Sequence, residues 1–169
     1  EPYANLARRL ERRLGLHVDL APVSAWRLPY VTRTIFWYET ALRGRVLWGA
    51  DVLDFIPVRR PEDLEKTEGL RLLCNRAAGL LLGTRLDAPQ KKIQAAKAIL
   101  AAADARMLAA GVFPPTQTER WARFADVVAP DVAGEGRLDA FAWAYRYKVD
   151  PAQAPAMDAE LAWAGARRE

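Results

Sequence analysis

A carboxylate stands in the middle of an apolar stretch near the start of the chain, in the run GLHVDLAPVSA at residues 15–25. Apolar and more polar positions alternate along this run, which predicts a short strand over residues 16–23 with Asp19 on its less apolar face. A buried carboxylate costs several kcal/mol unless it is paired, hydrogen-bonded or bound to a metal. Asp19 is therefore either a ligand-binding group or a residue of an edge strand that meets water or an arginine.

A second group of polar residues lies in a predicted helix over residues 62–83. Asn75, Arg76 and Gly79 share one stripe of this helix. Glycine inside a helix costs about 1 kcal/mol relative to alanine, and the groove that it opens would suit a bidentate grip of Arg76 on phosphate. The alternative is an interhelical salt bridge in which the aliphatic part of Arg76 packs against its neighbours.

The next predicted helix, over residues 89–110, carries two charged residues on the face that should be buried. Lys97 and Asp104 lie on one stripe of this helix together with isoleucine, leucine and methionine. Two interpretations stay open. Lys97 and Asp104 form a structural pair across two helical turns, or Lys97 contacts a ligand while Asp104 orients Arg76.

Composition excludes several classes of site. Cys74 is the only cysteine and His17 the only histidine, so neither an intrachain disulfide nor a zinc site of the His/Cys type can form. The dinucleotide-binding, P-loop and Gly-x-Ser-x-Gly hydrolase motifs do not occur. The single cysteine and the lack of a signal peptide or of a long apolar run lead us to expect a cytoplasmic protein.

The hydrophobic patterns predict an α+β protein that is mostly α-helical. Helices and short strands alternate in the first part of the chain, at residues 3–14, 16–23, 28–42 and 44–49. Only helical patterns follow, at residues 62–83, 89–110, 116–127, 137–148 and 158–167. We therefore divide the chain into a sheet-containing part, residues 1–58, and a helical bundle, residues 59–169, whose tail from about residue 129 is loosely packed.

Two further groups of residues are given structural roles. Asp51 and Asp54 flank a turn and are expected to cap it or to contact solvent. A set of aromatic residues is expected to pack within the bundle and not to form a base-stacking surface. This set consists of Trp121, Phe124, Phe141, Trp143, Tyr145 and Tyr147.

Several segments also follow one another in a recognisable order. They are a strand with HVDL, a helix and strand in TIFWYETALRGRVLWGAD, and two helices with EGLRLLCNRAAGLLL and KKIQAAKAILAAADARML. Over about residues 3–128 this order resembles the later half of a DNA-polymerase-β-type nucleotidyltransferase, in particular small bacterial and archaeal members with a helical C-terminal domain. The resemblance implies that residues 1–58 are the end of the catalytic palm domain and a remnant of its sheet.

The resemblance also implies a reaction. In that family a Gly-Ser motif, an Asp-x-Asp pair and a third carboxylate hold divalent metal beneath a nucleoside triphosphate. Asp19 matches the third carboxylate, which would make it a Mg²⁺ ligand in a centre where an acceptor oxygen attacks the α-phosphate and pyrophosphate leaves. Arg76 and Lys97 are the candidates, because of their stripes, for neutralising the triphosphate from the helical side.

This chain departs from the family pattern in one respect. It contains no Gly-Ser dipeptide and no Asp-x-Asp pair. We therefore expect the chain alone to be inactive, with the catalytic strands upstream of Glu1; the alternative is a descendant that has lost catalysis. A sheet interrupted in this way would expose strand edges and apolar surface, which would favour a homo-oligomer.

Two other functions compete with the nucleotidyltransferase hypothesis. A non-catalytic helical module could contact RNA or a protein partner, and the formal net charge of +4 would help it to hold a polyanion. A helical RNase would need an arginine and a histidine a few residues apart on a helix. Because His17 lies in a predicted strand, the sequence does not favour the RNase.

Overall fold

A computed structural model describes residues 2–16, 18–130 and 137–151, and this part of the chain is mostly α-helical, as predicted. Its α-helices are α1 Pro2–Leu14, α2 Ile35–Arg43, α3 Thr67–Gly83, α4 Ala88–Ala109, α5 Gln117–Val127 and α6 Arg137–Val149. Short 3-10 helices span Ala25–Tyr30, Leu53–Phe55 and Pro61–Asp63. None of the described helices is both long enough and apolar enough to span a membrane.

α4 is the central helix of the bundle, and its many alanines explain why. Small side chains allow neighbouring helices to approach closely on several sides, and α3, α5 and α6 all pack against α4. Asp87 determines where α4 begins, because its carboxylate accepts a hydrogen bond from Gln90 N at 2.9 Å. The buried residues of α4 are Ala95, Ala96, Ala98, Ile99, Leu100, Ala101, Ala103 and Met107.

α3 and α4 form an antiparallel hairpin, and two glycines of α3 show its register. A Cβ atom on Gly79 would lie 2.9 Å from Gln94 Oε1, and a Cβ atom on Gly69 would lie 3.5 Å from Ala105. Gly69 therefore faces Ala105, and Gly79, further along α3, faces the earlier residue Gln94 of α4, as expected for antiparallel helices. This register determines which polar residues of the two helices meet.

α5 and α6 pack against each other through aromatic rings. The ring centres of Trp121 and Tyr145 are 4.7 Å apart with the rings stacked, and those of Phe124 and Phe141 are 5.0 Å apart. Phe124, Phe141 and Trp143 are buried in the main core, which also contains residues of α4. The prediction that these aromatic residues pack within the bundle is confirmed.

α2 is tied to the bundle by buried polar contacts. Tyr38 is buried and its hydroxyl donates a hydrogen bond to the Phe113 carbonyl at 2.9 Å. At the first turn of α2, Ile35 N donates to Glu68 Oε2 at 2.9 Å, and Glu68 itself is buried at the start of α3. These contacts satisfy groups that would otherwise be buried without partners.

Two predicted strands are replaced by irregular chain. The described residues within 16–23, and all of 44–49, form no strand. A strand needs a neighbouring strand for its N–H and C=O groups, and no described segment supplies one. Val18 N donates instead to Glu11 Oε1 of α1, at 3.1 Å. The strand predictions are therefore corrected for the described part of the chain.

Two predicted helices begin later than the sequence suggested. The helix predicted over residues 28–42 starts at Ile35, after a 3-10 helix that contains Pro29, because proline disfavours α-helix at the residue before it and Thr34 caps the new start. The helix predicted from residue 62 starts at Thr67. Before it, Asp63 accepts hydrogen bonds from the backbone of Arg59 and Arg60, which closes a separate turn.

Other predictions concern residues that the structure does not describe, or stay open. His17, the helix predicted over residues 158–167 and most of the predicted tail lie outside the described residues. The division near residue 58 stays a prediction. Tyr38 and Val58 belong to the same buried cluster as residues of α4, so the segment before residue 58 contributes to the core of the bundle.

Candidate functional site

The hairpin of α3 and α4 brings two of the predicted site residues together. Arg76 lies three residues before Gly79, and Gly79 faces Gln94, so the antiparallel register places Arg76 level with Lys97. Both side chains are half-buried. The two residues were chosen as candidates from stripes on two separate helices. The antiparallel register explains how residues from these two stripes come to lie side by side.

Lys148 of α6 is a third cation of this cluster, and the sequence analysis missed it. Burial lowers the pKa of Lys97, and the positive charges of Arg76 and Lys148 lower it further. The signal for Lys148 was present, because it follows the buried Phe141 and Ala144 at the spacing of one helix face. We refer to Arg76, Lys97 and Lys148 as the cation cluster.

The charge of the cation cluster is only partly offset within the described residues, by the carboxylate of Asp104. None of its three side chains forms a salt bridge there. Repulsion among the three cations and the burial of Lys97 both cost free energy. An anion bound between α3, α4 and α6 would remove much of that cost.

Asp104 has a different partner from either of the two that the sequence suggested. Its Oδ1 atom lies 3.3 Å from Nε of Arg120 on α5, so its ion pair is formed neither with Lys97 nor with Arg76. Burial raises the pKa of Asp104 to about 6, although the charge of Arg120 acts in the opposite direction. The charges of Arg76 and Lys148 also lower this pKa, which shows that Asp104 lies within electrostatic reach of the cation cluster.

Arg120 is the second residue that sequence reasoning missed. Its side chain is buried, and its Nη1 atom donates to Glu39 Oε1 at 2.8 Å and to the Pro114 carbonyl at 3.2 Å. The guanidinium also lies over the ring of Phe113, 4.6 Å from its centre. Arg120 therefore joins α2, α4 and the segment before α5. The sequence did contain a signal that Arg120 faces the core, because Arg120 lies four residues before the buried Phe124 on the same helix.

Gly79 has a packing role in this structure. The side chain of Gln94 occupies the space beside it, with Oε1 2.9 Å from the place of a Cβ atom. The sequence predicted a groove beside Gly79 and next to Arg76. The side-chain amide of Gln94 fills that groove beside Gly79.

Asp19 lies in irregular chain and is exposed to solvent. Within the described residues, no group of three or more histidine, cysteine, aspartate or glutamate side chains could hold a metal ion. One carboxylate does not fit the octahedral oxygen shell that Mg²⁺ requires, so these residues alone do not form the predicted metal site. Asp19 as a metal ligand stays a prediction that depends on further carboxylates.

The two aspartates given structural roles behave as expected. Asp51 Oδ1 accepts a hydrogen bond from Leu53 N at 3.0 Å, and Asp54 Oδ1 accepts one from Arg59 at 2.8 Å. These contacts close the turn around residues 51–55.

No family model matches this chain, and no curated protein or solved structure is similar to it.

Proposed function

We propose that the chain binds the triphosphate of a nucleoside triphosphate at the cation cluster and is the helical, substrate-facing part of a nucleotidyltransferase. The observation that supports this proposal is that Arg76, Lys97 and Lys148, on three helices, lie close enough for their charges to interact, while none of them forms a salt bridge with a described carboxylate. A triphosphate carries several negative charges and offers acceptors to both a guanidinium and ammonium groups. Each cation would gain a salt-bridge partner that the described residues do not supply.

The half-buried position of Lys97 strengthens the argument. An ammonium group that is partly removed from water and faces two other cations is destabilised in its charged form. Phosphate oxygens would restore that charged form and make the contact stronger than a fully exposed one. Arg76 can bind two phosphate oxygens at once, whereas the lysines act as single charges.

The transfer reaction needs groups beyond those described. In the proposed enzyme, Mg²⁺ would stabilise charge on the phosphates, and Asp19 would be one of its ligands. The other carboxylates and the Gly-Ser motif would come from further strands, and residues 16–23 and 44–49 would join that sheet. The exposed leucine and tryptophan at positions 47 and 48 agree with a surface that another strand or a second copy covers.

A second candidate function is a non-catalytic helical module for RNA or a protein partner, in the same cytoplasmic setting. It is favoured by the aromatic surface around Trp26 and Tyr30, both of which are largely exposed. This function would require no metal and no acceptor.

Isothermal titration calorimetry with each nucleoside triphosphate, with and without Mg²⁺, tests the proposal. We expect Arg76→Ala and Lys97→Ala each to weaken binding about tenfold or more, because a charge-assisted hydrogen bond is lost. Arg85→Ala and Lys92→Ala remove the same charge near the same helices, outside the cation cluster, and should leave affinity almost unchanged. Equal affinity for all four variants and the unaltered chain would refute the proposed site.

A further inference from the structure

A groove lies between the segment that follows α1 and the start of α2, and it shares no residue with the cation cluster. Its volume is about 540 Å³. Trp26 and Tyr30 line it and are 73% and 82% exposed, which is unusual for large aromatic side chains. Trp37 is half-buried on its inner side. The remaining lining residues are Pro22, Val23, Ser24, Arg27, Val31 and Thr32.

The chain segment that forms the groove is basic. Residues 20–50 contain four arginines and a single carboxylate, Glu39. That carboxylate already pairs with the buried Arg120. Arg27 and Arg33 form no ion pair with a carboxylate in the part of the chain that the structure describes. The guanidinium of Arg27 lies over the Trp26 ring, 5.8 Å from its centre.

Exposed aromatic rings next to unpaired arginines are the combination that a single strand of nucleic acid requires. Bases present flat faces that stack on tryptophan and tyrosine, while the phosphates carry one negative charge per nucleotide. An uncharged, proline-rich peptide could fill an aromatic groove but would leave the arginines unneutralised. The charge of the groove therefore favours nucleic acid over such a peptide.

We propose that this groove binds single-stranded nucleic acid, with bases stacked on Trp26 and Tyr30 and phosphates held by Arg27. Stacking accepts every base, so binding is expected to show little sequence preference. The inference is independent of nucleotide binding at the cation cluster, because the two sites share no residue.

Fluorescence anisotropy with a labelled 12-nucleotide oligouridine tests this inference at low salt. Trp26→Ala should raise the Kd about tenfold, and Trp26→Phe should recover part of the loss because it keeps a stacking ring. Arg27→Ala should weaken binding and reduce the slope of log Kd against log salt concentration by roughly 0.7, the value for one phosphate contact on a single strand. Trp48→Ala is the matched control, since Trp48 is 95% exposed but does not line the groove.

Three results would overturn the inference. The first is no change in anisotropy on adding the unaltered chain, and the second is the same loss of affinity for Trp48→Ala as for Trp26→Ala. The third is an uncharged proline-rich 12-residue peptide that binds with the Trp26 dependence expected of the oligonucleotide while the oligonucleotide does not bind. Lys97→Ala should bind the oligonucleotide normally, which separates failure of this inference from failure of the nucleotide proposal.

Discussion

The Nε atom of Arg120 lies 3.3 Å from Oδ1 of Asp104 inside the packed helices, and the other end of the guanidinium contacts Glu39 at 2.8 Å. The Nε atom is buried and makes no hydrogen bond of good geometry. The pair is thus held by charge and by the surrounding packing more than by directed hydrogen bonds. It fixes α5 against α4, and α4 carries Lys97.

Removing one member of this pair should destabilise the fold more than removing both. Arg120→Met leaves Asp104 buried without its counter-charge, and we expect the free energy of unfolding at pH 7 to fall by about 3 to 5 kcal/mol. The double variant Arg120→Met/Asp104→Leu removes both charges and should recover part of that loss. Urea unfolding followed by circular dichroism measures both values. A double variant less stable than Arg120→Met would contradict the account.

The raised pKa of Asp104 predicts a pH dependence of stability. Its value of about 6 in the folded chain exceeds the ordinary 3.8, so the folded state binds this proton more tightly than the unfolded state. The contribution of Asp104 therefore falls as pH rises from about 4 to above 6, by about 3 kcal/mol in all. This fall should be absent in Asp104→Asn. Urea unfolding between pH 4 and pH 7.5 gives the free energy of unfolding of the unaltered chain and of Asp104→Asn. A difference between these two free energies that did not change with pH would disprove the prediction.

Two glycine substitutions should change stability in opposite directions. A Cβ atom on Gly79 meets only the end of the flexible Gln94 side chain, so Gly79→Ala should stabilise α3 by up to about 1 kcal/mol. A Cβ atom on Gly44 would collide with the backbone carbonyl of Thr40, so Gly44→Ala should destabilise the chain. Thermal unfolding compares the two variants, and a loss of stability in Gly79→Ala would show that Gln94 cannot move.

The sequence predicted the helices best where their signals were local. The predicted starts of α4 and α5, at residues 89 and 116, lie within one residue of those observed, where an aspartate caps α4 and a threonine with a glutamate caps α5. The predicted strands do not form in the described residues because alternation describes a chain that has a partner, and no described segment pairs with the described part of residues 16–23 or with residues 44–49.

The same distinction applies to the site. Arg76 and Lys97 could be chosen as candidates from helical stripes, since both choices depend on periodicity within one helix. Lys148 and Arg120 belong to other helices, and their roles depend on how α5 and α6 pack against α4. A pattern within one segment does not specify which distant segment packs against it. Asp104 was recognised as unusual, but its partner could be found only from the packing.

The pKa of Lys97 is the most direct measure of nucleotide binding at the cation cluster, because it reports both the neighbouring cations and the bound anion. The chain has five lysines, so NMR of lysine labelled with ¹³C at Cε gives few signals, and Lys97→Arg identifies the one from Lys97. We predict a pKa below the ordinary value in the free chain, a partial rise in Arg76→Ala, and a rise in the unaltered chain when ATP is added. A Lys97 pKa that is ordinary in the free chain, or that does not change at saturating ATP, would contradict the account.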